Sequence, residues 1–314
     1  MGVEVTFPKI SIVTPSFNQG KYLEKTILSV LEQNYPNLEY IIIDGGSTDN
    51  SVDIIRKYEK QLSYWVSEKD RGQSHAINKG FERATGDIFG WLNSDDYFHP
   101  GAFKAAVTIF QANPGVGAVV GAGDMFFEET GETTLVEPFP VTMESLCRSV
   151  YGRFFMQPSC FFIKMAWDEC GPLDETLHLA MDTDLWLSIA KKYSFATSNM
   201  NLSTSVVHSD AKTNARAAES YADGILVIVR HGNGAIAREQ LVKLLKDLMK
   251  DREDYRKLIE RHSELVGQNM QLLEINAQIN NQWRDDVEMI RSTLSWKLTR
   301  PLRKLGDLFN RKDR

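Results

Sequence analysis

Two adjacent carboxylates, Asp95 and Asp96, follow directly after an apolar run at residues 88–92, with Asn93 two positions before the pair. Carboxylate oxygens are preferred ligands of hard divalent cations such as Mg²⁺ and Mn²⁺, and these cations neutralise phosphate charge. Adjacent Asp residues are also common in helix caps and in solvated turns. The pair alone therefore leaves a metal site and an ordinary turn as alternatives.

The elements that must position this pair can be predicted from hydrophobic periodicity. Apolar runs bounded by turn residues are typical of buried strands; they lie at residues 10–13, 40–43, 64–66, 88–92 and 116–120. Stretches with apolar positions three or four apart alternate with them, at residues 22–33, 51–58, 74–84 and 101–111. This order predicts an α/β fold with a mostly parallel, doubly wound, Rossmann-related sheet.

The residues that follow four of these apolar runs are polar. In open α/β sheets ligands bind beyond the carboxyl ends of the strands. The four segments are Thr14-Pro15-Ser16, Asp44-Gly45-Gly46-Ser47, Glu68-Lys69-Asp70-Arg71-Gly72 and Asn93-Ser94-Asp95-Asp96. We therefore expect four strand ends to converge on one site.

Composition limits the classes of partner and compartment. The formal net charge of −6 argues against a nucleic-acid partner, which normally requires a basic face. The three cysteines are widely spaced, so neither a disulfide framework nor a zinc site is indicated, and a cytoplasmic protein is expected. The N-terminus does not resemble a secretory signal, and no apolar stretch approaches the ~20 residues that span a bilayer.

The composition changes near Arg238 and predicts a long helix with a coiled-coil seam. The seam positions alternate in spacing by three and four: Leu241, Leu245, Leu248, Tyr255, Ile259, Val266 and Leu273, interrupted by Arg252, His262 and Asn269. Residues 295–314 mix apolar and basic side chains, as amphipathic segments that contact anionic lipid do. We expect a domain at residues 1–225, a helical arm at 226–294 that favours homo-oligomers, and a basic tail at 295–314.

Five motifs in order resemble the family 2 inverting glycosyltransferases, which have the GT-A fold, over residues 10–213. The motifs are Ser11-Ile12-Val13-Thr14-Pro15-Ser16-Phe17-Asn18, Ile43-Asp44-Gly45-Gly46-Ser47-Thr48-Asp49, Asp70-Arg71-Gly72-Gln73, Gly90-Trp91-Leu92-Asn93-Ser94-Asp95-Asp96 and Met181-Asp182-Thr183-Asp184-Leu185-Trp186-Leu187. The resemblance implies transfer of a sugar from a nucleoside diphosphate donor, dependent on Mn²⁺ or Mg²⁺. UDP is the expected nucleotide, with GDP and TDP as alternatives.

The resemblance also implies roles for residues on the donor side. The expected contacts with the base and ribose are Thr14, Pro15, Ser16, Asp44, Asp70 and Arg71. Asp96 corresponds to the metal ligand, Asp95 to a ribose or secondary metal contact, and Asn93 stands where many relatives have Asp. His208 is a candidate further metal ligand. Three of these residues have a structural alternative: a turn for Asp44, a surface ion pair for Arg71, and a buried structural side chain for His208.

On the acceptor side the resemblance makes Asp182 the catalytic base, although Met181 stands where relatives frequently have Glu. Asp184 is expected to cap a helix at residues 185–191. Gln157 is a candidate contact with the acceptor sugar, and Lys212 is a candidate contact with the diphosphate or a solvated side chain.

A segment at residues 295–303 resembles the ends of bacterial glycosyltransferases that build surface polysaccharides. It implies a glycan or lipid-linked acceptor and peripheral contact with the inner face of the plasma membrane. Two other functions stay open. A sugar-phosphate nucleotidyltransferase would need a Gly-rich basic phosphate loop, which residues 11–19 lack. An inactive membrane-associated coiled-coil scaffold is compatible with Asn93 and Met181.

Overall fold

The computed structural model describes residues 7–150, 154–208 and 217–292. The strands are β1 Ile10–Ser16, β2 Leu38–Asp44, β3 Tyr64–Ser67, β4 Ile88–Trp91, β5 Tyr97–Phe98, β6 Ala118–Phe127, β7 Glu132–Val136, β8 Cys160–Ile163 and β9 Phe195–Val207. The helices are α1 Leu23–Leu31, α2 Ser51–Tyr58, α3 Gln73–Phe81, α4 Ala102–Ala112, α5 Met143–Ser149, α6 Lys164–Cys170, α7 Met181–Ala190, α8 Ala217–Arg230 and α9 Gly234–Ser292. The predicted α/β class with a C-terminal helical extension is confirmed.

The described strands form one nine-stranded sheet in the order β3-β2-β1-β4-β8-β6-β9-β5, with β7 paired to β6. β1 is parallel to β2 and β4, and β2 is parallel to β3. β8 is antiparallel to both β4 and β6, so β4 and β6 run in the same direction, and β9 is parallel to β6. The carboxyl ends of β1, β2, β3, β4, β6 and β9 therefore lie along the same edge of the sheet.

Alternation along the strands divides the core between the two faces of the sheet. Val13 and Ile41 belong to one buried cluster, with side chains of α3, α6, α7 and α8. Ile12 and Ile42 belong to the other, with side chains of α1, α2 and α4. Because helices cover both faces, the strands can be apolar throughout, which is why they appear as continuous hydrophobic runs in the sequence.

The chain divides into two compact units at Leu244, inside α9. The first contains the sheet and the helices that cover it. In the second, the described residues continue α9 as far as Ser292. Within the described ranges, no helix combines the length and the apolar character that a bilayer crossing requires.

The helix α7 differs from expectation. The helix around Asp184 begins at Met181, so both Asp182 and Asp184 lie in its first turn, and the expected cap by Asp184 is wrong. Asp184 Oδ1 instead lies 2.9 Å from Nε2 of His231, the residue that follows α8.

Candidate functional site

The acidic pair follows β4 at the shared carboxyl edge, and its two members face different neighbours. Asp96 is 3% exposed; its Oδ1 accepts a hydrogen bond from the Val206 amide at 3.0 Å, and its Oδ2 accepts one from Asn93 Nδ2 at 3.3 Å. Asp95 Oδ2 lies 3.2 Å from His208 Nε2, and its side chain is 21% exposed. The carboxylate that remains accessible beside the imidazole is therefore Asp95, not Asp96.

Burial raises the pKa of Asp96 well above its ordinary value, and the neighbouring charge of Asp95 raises it further. Hydrogen bonds from Ser205 and Val206 act in the opposite direction, because they favour the charged form. Asp96 is thus tied to β9 by its side chain. It is also held by its carbonyl, which accepts a hydrogen bond from Thr26 at 2.7 Å.

Asp95 and His208 fit part of a divalent metal site. Ligands at about 2.1 Å on adjacent octahedral positions are separated by about 3 Å, close to the distance between these two side chains. In the described part of the chain, no group of three or more His, Cys, Asp or Glu residues is arranged to hold a metal ion. The two side chains would therefore need further oxygen ligands, such as the phosphates of a bound donor.

Three amide side chains form a hydrogen-bonded chain that contacts the acidic pair through Asn93. Gln73 Nε2 donates to Asn93 Oδ1 at 2.8 Å, and Asn93 Nδ2 lies 3.4 Å from Gln157 Oε1. Gln157 Nε2 donates to the carbonyl of Trp91 at 3.0 Å, in the last residue of β4. The structure thus joins the predicted donor residue Asn93 to the predicted acceptor residue Gln157. Gln73 belongs to the Asp70-Arg71-Gly72-Gln73 motif, but the family resemblance did not predict a role for it.

Asp44 lies at the end of β2 and is fully buried. Its Oδ2 accepts hydrogen bonds from Ser67 Oγ at 2.6 Å and from the Gly46 and Ser47 amides at 3.1 and 2.9 Å. Its Oδ1 accepts one from Ser47 Oγ at 2.5 Å. A carboxylate oxygen has two lone pairs, so Oδ1 retains one for a ligand. The geometry shows the turn-stabilising role, and a contact with a base would require the buried carboxylate to become accessible.

The β1 residues of the predicted nucleotide pocket differ in accessibility. The hydroxyl of Thr14 pairs with Tyr40 OH at 3.1 Å inside the core, so its side chain is directed away from the sheet edge. Pro15 is buried and lacks an amide donor. Ser16 Oγ is buried and has no hydrogen-bond partner among the described residues. An orphaned buried hydroxyl is costly, and a bound ligand would satisfy it.

Asp70 and Arg71 follow β3. Asp70 lies against Gly45, where an added Cβ would be 2.7 Å from its Oδ2, so a side chain at position 45 would displace the Asp70 carboxylate. Arg71 forms a bidentate ion pair with Glu175, at 2.7 and 3.0 Å, and its side chain is 67% exposed. In this structure Arg71 therefore makes the surface ion pair that was one of its two predicted roles.

Asp182 lies in the first turn of α7. Trp186, one turn after Asp182, stacks on Trp91 of β4 with ring centroids 5.3 Å apart, which anchors the helix beside the end of that strand. Burial raises the pKa of Asp182, and its carboxylate acts electrostatically on the thiol of Cys160, directly after the turn that carries Gln157. Met181 is 8% exposed within the core, which explains an apolar side chain there. Lys212 lies outside the described residues.

Comparison with known proteins gives results that agree with these observations. An uncharacterized glycosyltransferase of Rickettsia typhi is 27% identical over 217 residues, which cover 66% of each chain. The structure of Staphylococcus aureus TarS residues 1–349 in complex with UDP-GlcNAc has a TM-score of 0.54 and 16% identity, covering 70% of this chain and 66% of that one.

The mannosyltransferase PcManGT of Pyrobaculum calidifontis, solved with GDP-Man and Mn²⁺, has a TM-score of 0.56 and 21% identity, covering 72% of this chain and 65% of that one. At these identities the two structures establish the shared GT-A-like fold. The chain thus spans just under two thirds of the length of these three proteins. Residues 11–171 match the family described as Glycosyl transferase family 2, and because this segment is half of the chain, the protein belongs to that family.

Proposed function

We propose that this protein transfers a sugar, with inversion at the anomeric carbon, from a nucleoside diphosphate donor to a hydroxyl of a glycan or lipid-linked acceptor. The observation that carries the proposal is the contact between the partly exposed Asp95 and the buried His208 at the carboxyl edge of the sheet, near the Gln73–Asn93–Gln157 chain. The fold neighbours bound to UDP-GlcNAc and to GDP-Man with Mn²⁺ support a nucleotide-sugar donor.

We assign the metal-binding role to Asp95 and His208 rather than to Asp96. A divalent cation held there would neutralise the charge of the departing diphosphate. The side chain of Asp96 supports the site by linking the acidic loop to β9. Asn93, held by Gln73, keeps an amide beside the site that can hydrogen-bond the donor. The buried hydroxyl of Ser16 and the carboxylate of Asp44 lie in the last residues of β1 and β2, at the same edge of the sheet.

Asp182 is proposed as the base. Inversion requires the acceptor hydroxyl to attack from the side opposite the leaving group while a carboxylate removes its proton. α7 holds Asp182 beside the turn that carries Gln157, and Gln157 is proposed to orient the acceptor sugar. The pairing of Arg71 with Glu175 joins the loop after β3 to the segment that precedes α7. It is therefore proposed to hold the donor and acceptor sides together.

The experiment that tests this function is donor binding and hydrolysis. We expect one of the UDP-, GDP- or TDP-sugars to raise the melting temperature in the presence of Mn²⁺ or Mg²⁺, because a ligand that binds only the folded state stabilises it. The Asp95→Asn substitution should lower metal-dependent hydrolysis by at least about 100-fold, since the cation supplies several kcal/mol of charge stabilisation.

A matched control is Asp53→Asn, whose carboxylate is 80% exposed on α2. It removes the same charge and should leave hydrolysis unchanged. Failure of the unmodified protein to bind or hydrolyse any of these donors would contradict the enzymatic function and favour the scaffold alternative.

The arm and the tail are assigned separate roles. We propose that residues 1–225 form the catalytic domain and that residues 226–294 join copies of the chain through the seam of α9. The described apolar seam residues are exposed along the helix, for example Leu248 at 54% and Ile259 at 51%. The proposed lipid contact lies in residues 295–314, outside the described residues.

A further inference from the structure

The imidazole of His208 is oriented in an unusual way. His208 is 3% exposed, and its Nε2 faces Asp95. Its Nδ1 is buried and makes no hydrogen bond with any described residue. Histidines that bind metals usually donate the second ring nitrogen to a carboxylate or carbonyl, and this bond fixes the plane of the ring. No such bond is found among the described residues, and a different contact restrains the ring plane.

The contact is an aromatic stack. Tyr22, immediately before α1, lies against the imidazole with centroids 4.7 Å apart and an interplanar angle of 28°. The phenol is held in turn, because Tyr22 OH donates to Glu128 Oε2 at 2.7 Å. Lys21 Nζ reaches the other oxygen of the same carboxylate at 2.6 Å. The stack and the hydrogen bond together restrict the ring of Tyr22, and through it the ring of His208.

The topology of the sheet explains how these residues meet. β6 and β9 are parallel, and their last residues, Phe127 and Val207, pair with each other. The next residues, Glu128 and His208, therefore leave the sheet side by side, and the Glu128 amide donates to the Val207 carbonyl at 2.9 Å. Tyr22 comes from a third element, at the carboxyl end of β1. The Glu128 backbone is thus fixed to the same strand end that carries His208, and its carboxylate reaches Tyr22 from there.

From these contacts we infer that Tyr22, locked by Glu128, is a positioning residue that holds the His208 imidazole against Asp95 for binding of a divalent cation. The inference rests on the proposed function, since it concerns the same metal site. Tyr22 itself supplies no metal ligand and no reacting group. Lys21 contributes little to this arrangement, because its side chain is 65% exposed and its ion pair is solvent-screened.

The test is direct measurement of Mn²⁺ binding by electron paramagnetic resonance or calorimetry, in the presence of UDP or of the nucleotide that the donor screen identifies. Tyr22→Leu removes both the stack and the hydroxyl, and it should weaken Mn²⁺ binding by roughly 10-fold or more, as loss of an orienting contact does. Tyr22→Phe keeps the stack, as does Glu128→Gln. Each should give a smaller loss, and these two variants supply the measurement if Tyr22→Leu folds poorly.

The chain offers a matched control in Tyr58. Tyr58 OH donates to Glu24 at 2.7 Å, and Lys57 contacts the same carboxylate, so the three residue types of the Tyr22 cluster recur at the end of α2. Tyr58→Leu should leave Mn²⁺ affinity unchanged. In a double-mutant cycle, Tyr22→Leu should have no further effect once His208→Ala is present, because Tyr22 acts through His208.

Three results would count against the inference. Mn²⁺ affinity of Tyr22→Leu equal to that of the unmodified protein would overturn the positioning role and leave the proposed function standing. An additive effect of Tyr22→Leu in the His208→Ala background would also overturn it, because Tyr22 would then act independently of His208. Absence of Mn²⁺ binding by the unmodified protein with every nucleotide tested would overturn the metal-dependent function itself.

Discussion

At the scale of single residues, aspartates that are neighbours in the sequence have different environments in the fold. Asp95 and Asp96 are adjacent, yet one faces an imidazole and the other accepts hydrogen bonds from a strand. Asp182 and Asp184 share the first turn of α7, yet the second is paired with His231. Residue type and spacing place such groups near a site, but their chemical roles depend on which neighbours the fold supplies.

The proposed role of Asp182 predicts a pH dependence. Burial raises the pKa of this carboxyl above the ordinary aspartate value. A general base must be deprotonated, so activity should be full above this raised pKa and should fall as the pH decreases through it. The acidic limb of kcat/KM should therefore lie at a higher pH than a solvent-exposed aspartate would give.

The variant that tests this pH dependence is Asp182→Asn. It should lower kcat by about 10²- to 10⁴-fold, the usual contribution of a positioned base, and should remove the acidic limb. Asp168→Asn is a control, because that carboxylate is 51% exposed on α6 and pairs with Lys164. Retention of both the limb and most of the rate in Asp182→Asn would assign the base to another group.

At the scale of elements, the central part of the fold could be predicted and some of its edges could not. All five predicted strands are present. Burial on both faces makes β1, β2, β4 and the start of β6 continuous apolar runs, whereas β3 lies at the end of the strand order and is only partly buried. The short strand β5 and the exposed strand β7 lack such runs; β7 reads Glu132 to Val136 and is mostly exposed. Periodicity has no means of detecting strands that bury so little apolar surface.

The candidate site divides in the same way. Residues at the carboxyl ends of β1 to β4 could be predicted, because parallel strands of one sheet share an edge. The roles of Tyr22, Glu128 and Glu175 could not, since each depends on a long-range contact: Tyr22 with Glu128, and Glu175 with Arg71. A single polar side chain without a periodic pattern gives no indication of such a partner.

The seam of α9 provides a prediction at the same scale. Ile259 lies on the seam and is 51% exposed, so a partner helix from a second copy would bury it. Ile259→Asp should therefore shift the protein from oligomer to monomer in size-exclusion chromatography with light scattering. Ile275 is also 51% exposed but lies off the seam, so Ile275→Asp introduces the same change without this effect. A monomeric unmodified protein, or equal behaviour of the two variants, would contradict self-association through this seam.

At the scale of the whole molecule, the two edges of the sheet hold different kinds of polar side chain. The carboxyl edge collects side chains proposed for chemistry, including a buried hydroxyl without a partner at Ser16. The opposite edge, where β1 begins, holds a satisfied ionic network centred on Glu39. Glu39 accepts hydrogen bonds from Lys9 at 2.7 Å, Ser11 at 2.5 Å and the Thr85 amide at 2.6 Å. The groups proposed for binding and the network around Glu39 thus lie at opposite edges of the sheet.

This separation predicts acid sensitivity of the fold that is independent of the site. Burial alone would raise the pKa of Glu39, but the hydrogen bonds from Lys9, Ser11 and Thr85 outweigh it and lower the pKa to about 2 from 4.5. A carboxyl with a lowered folded-state pKa stabilises the protein above pH 4.5, and this contribution is lost as the pH falls from 4.5 towards 2. This pKa shift corresponds to a contribution on the order of 3 kcal/mol to the free energy of unfolding.

The Glu39→Gln substitution isolates this contribution. It should lower the urea midpoint of unfolding at pH 7 and reduce the further loss of stability between pH 4.5 and pH 3, because the titrating group is gone. Glu32→Gln removes an exposed carboxylate near the same edge and should change neither quantity. Since Glu39 lies at the edge opposite Asp95, Mn²⁺ affinity at pH 7 should be the same in Glu39→Gln as in the unmodified protein. A change in that affinity would show that the two edges are energetically coupled.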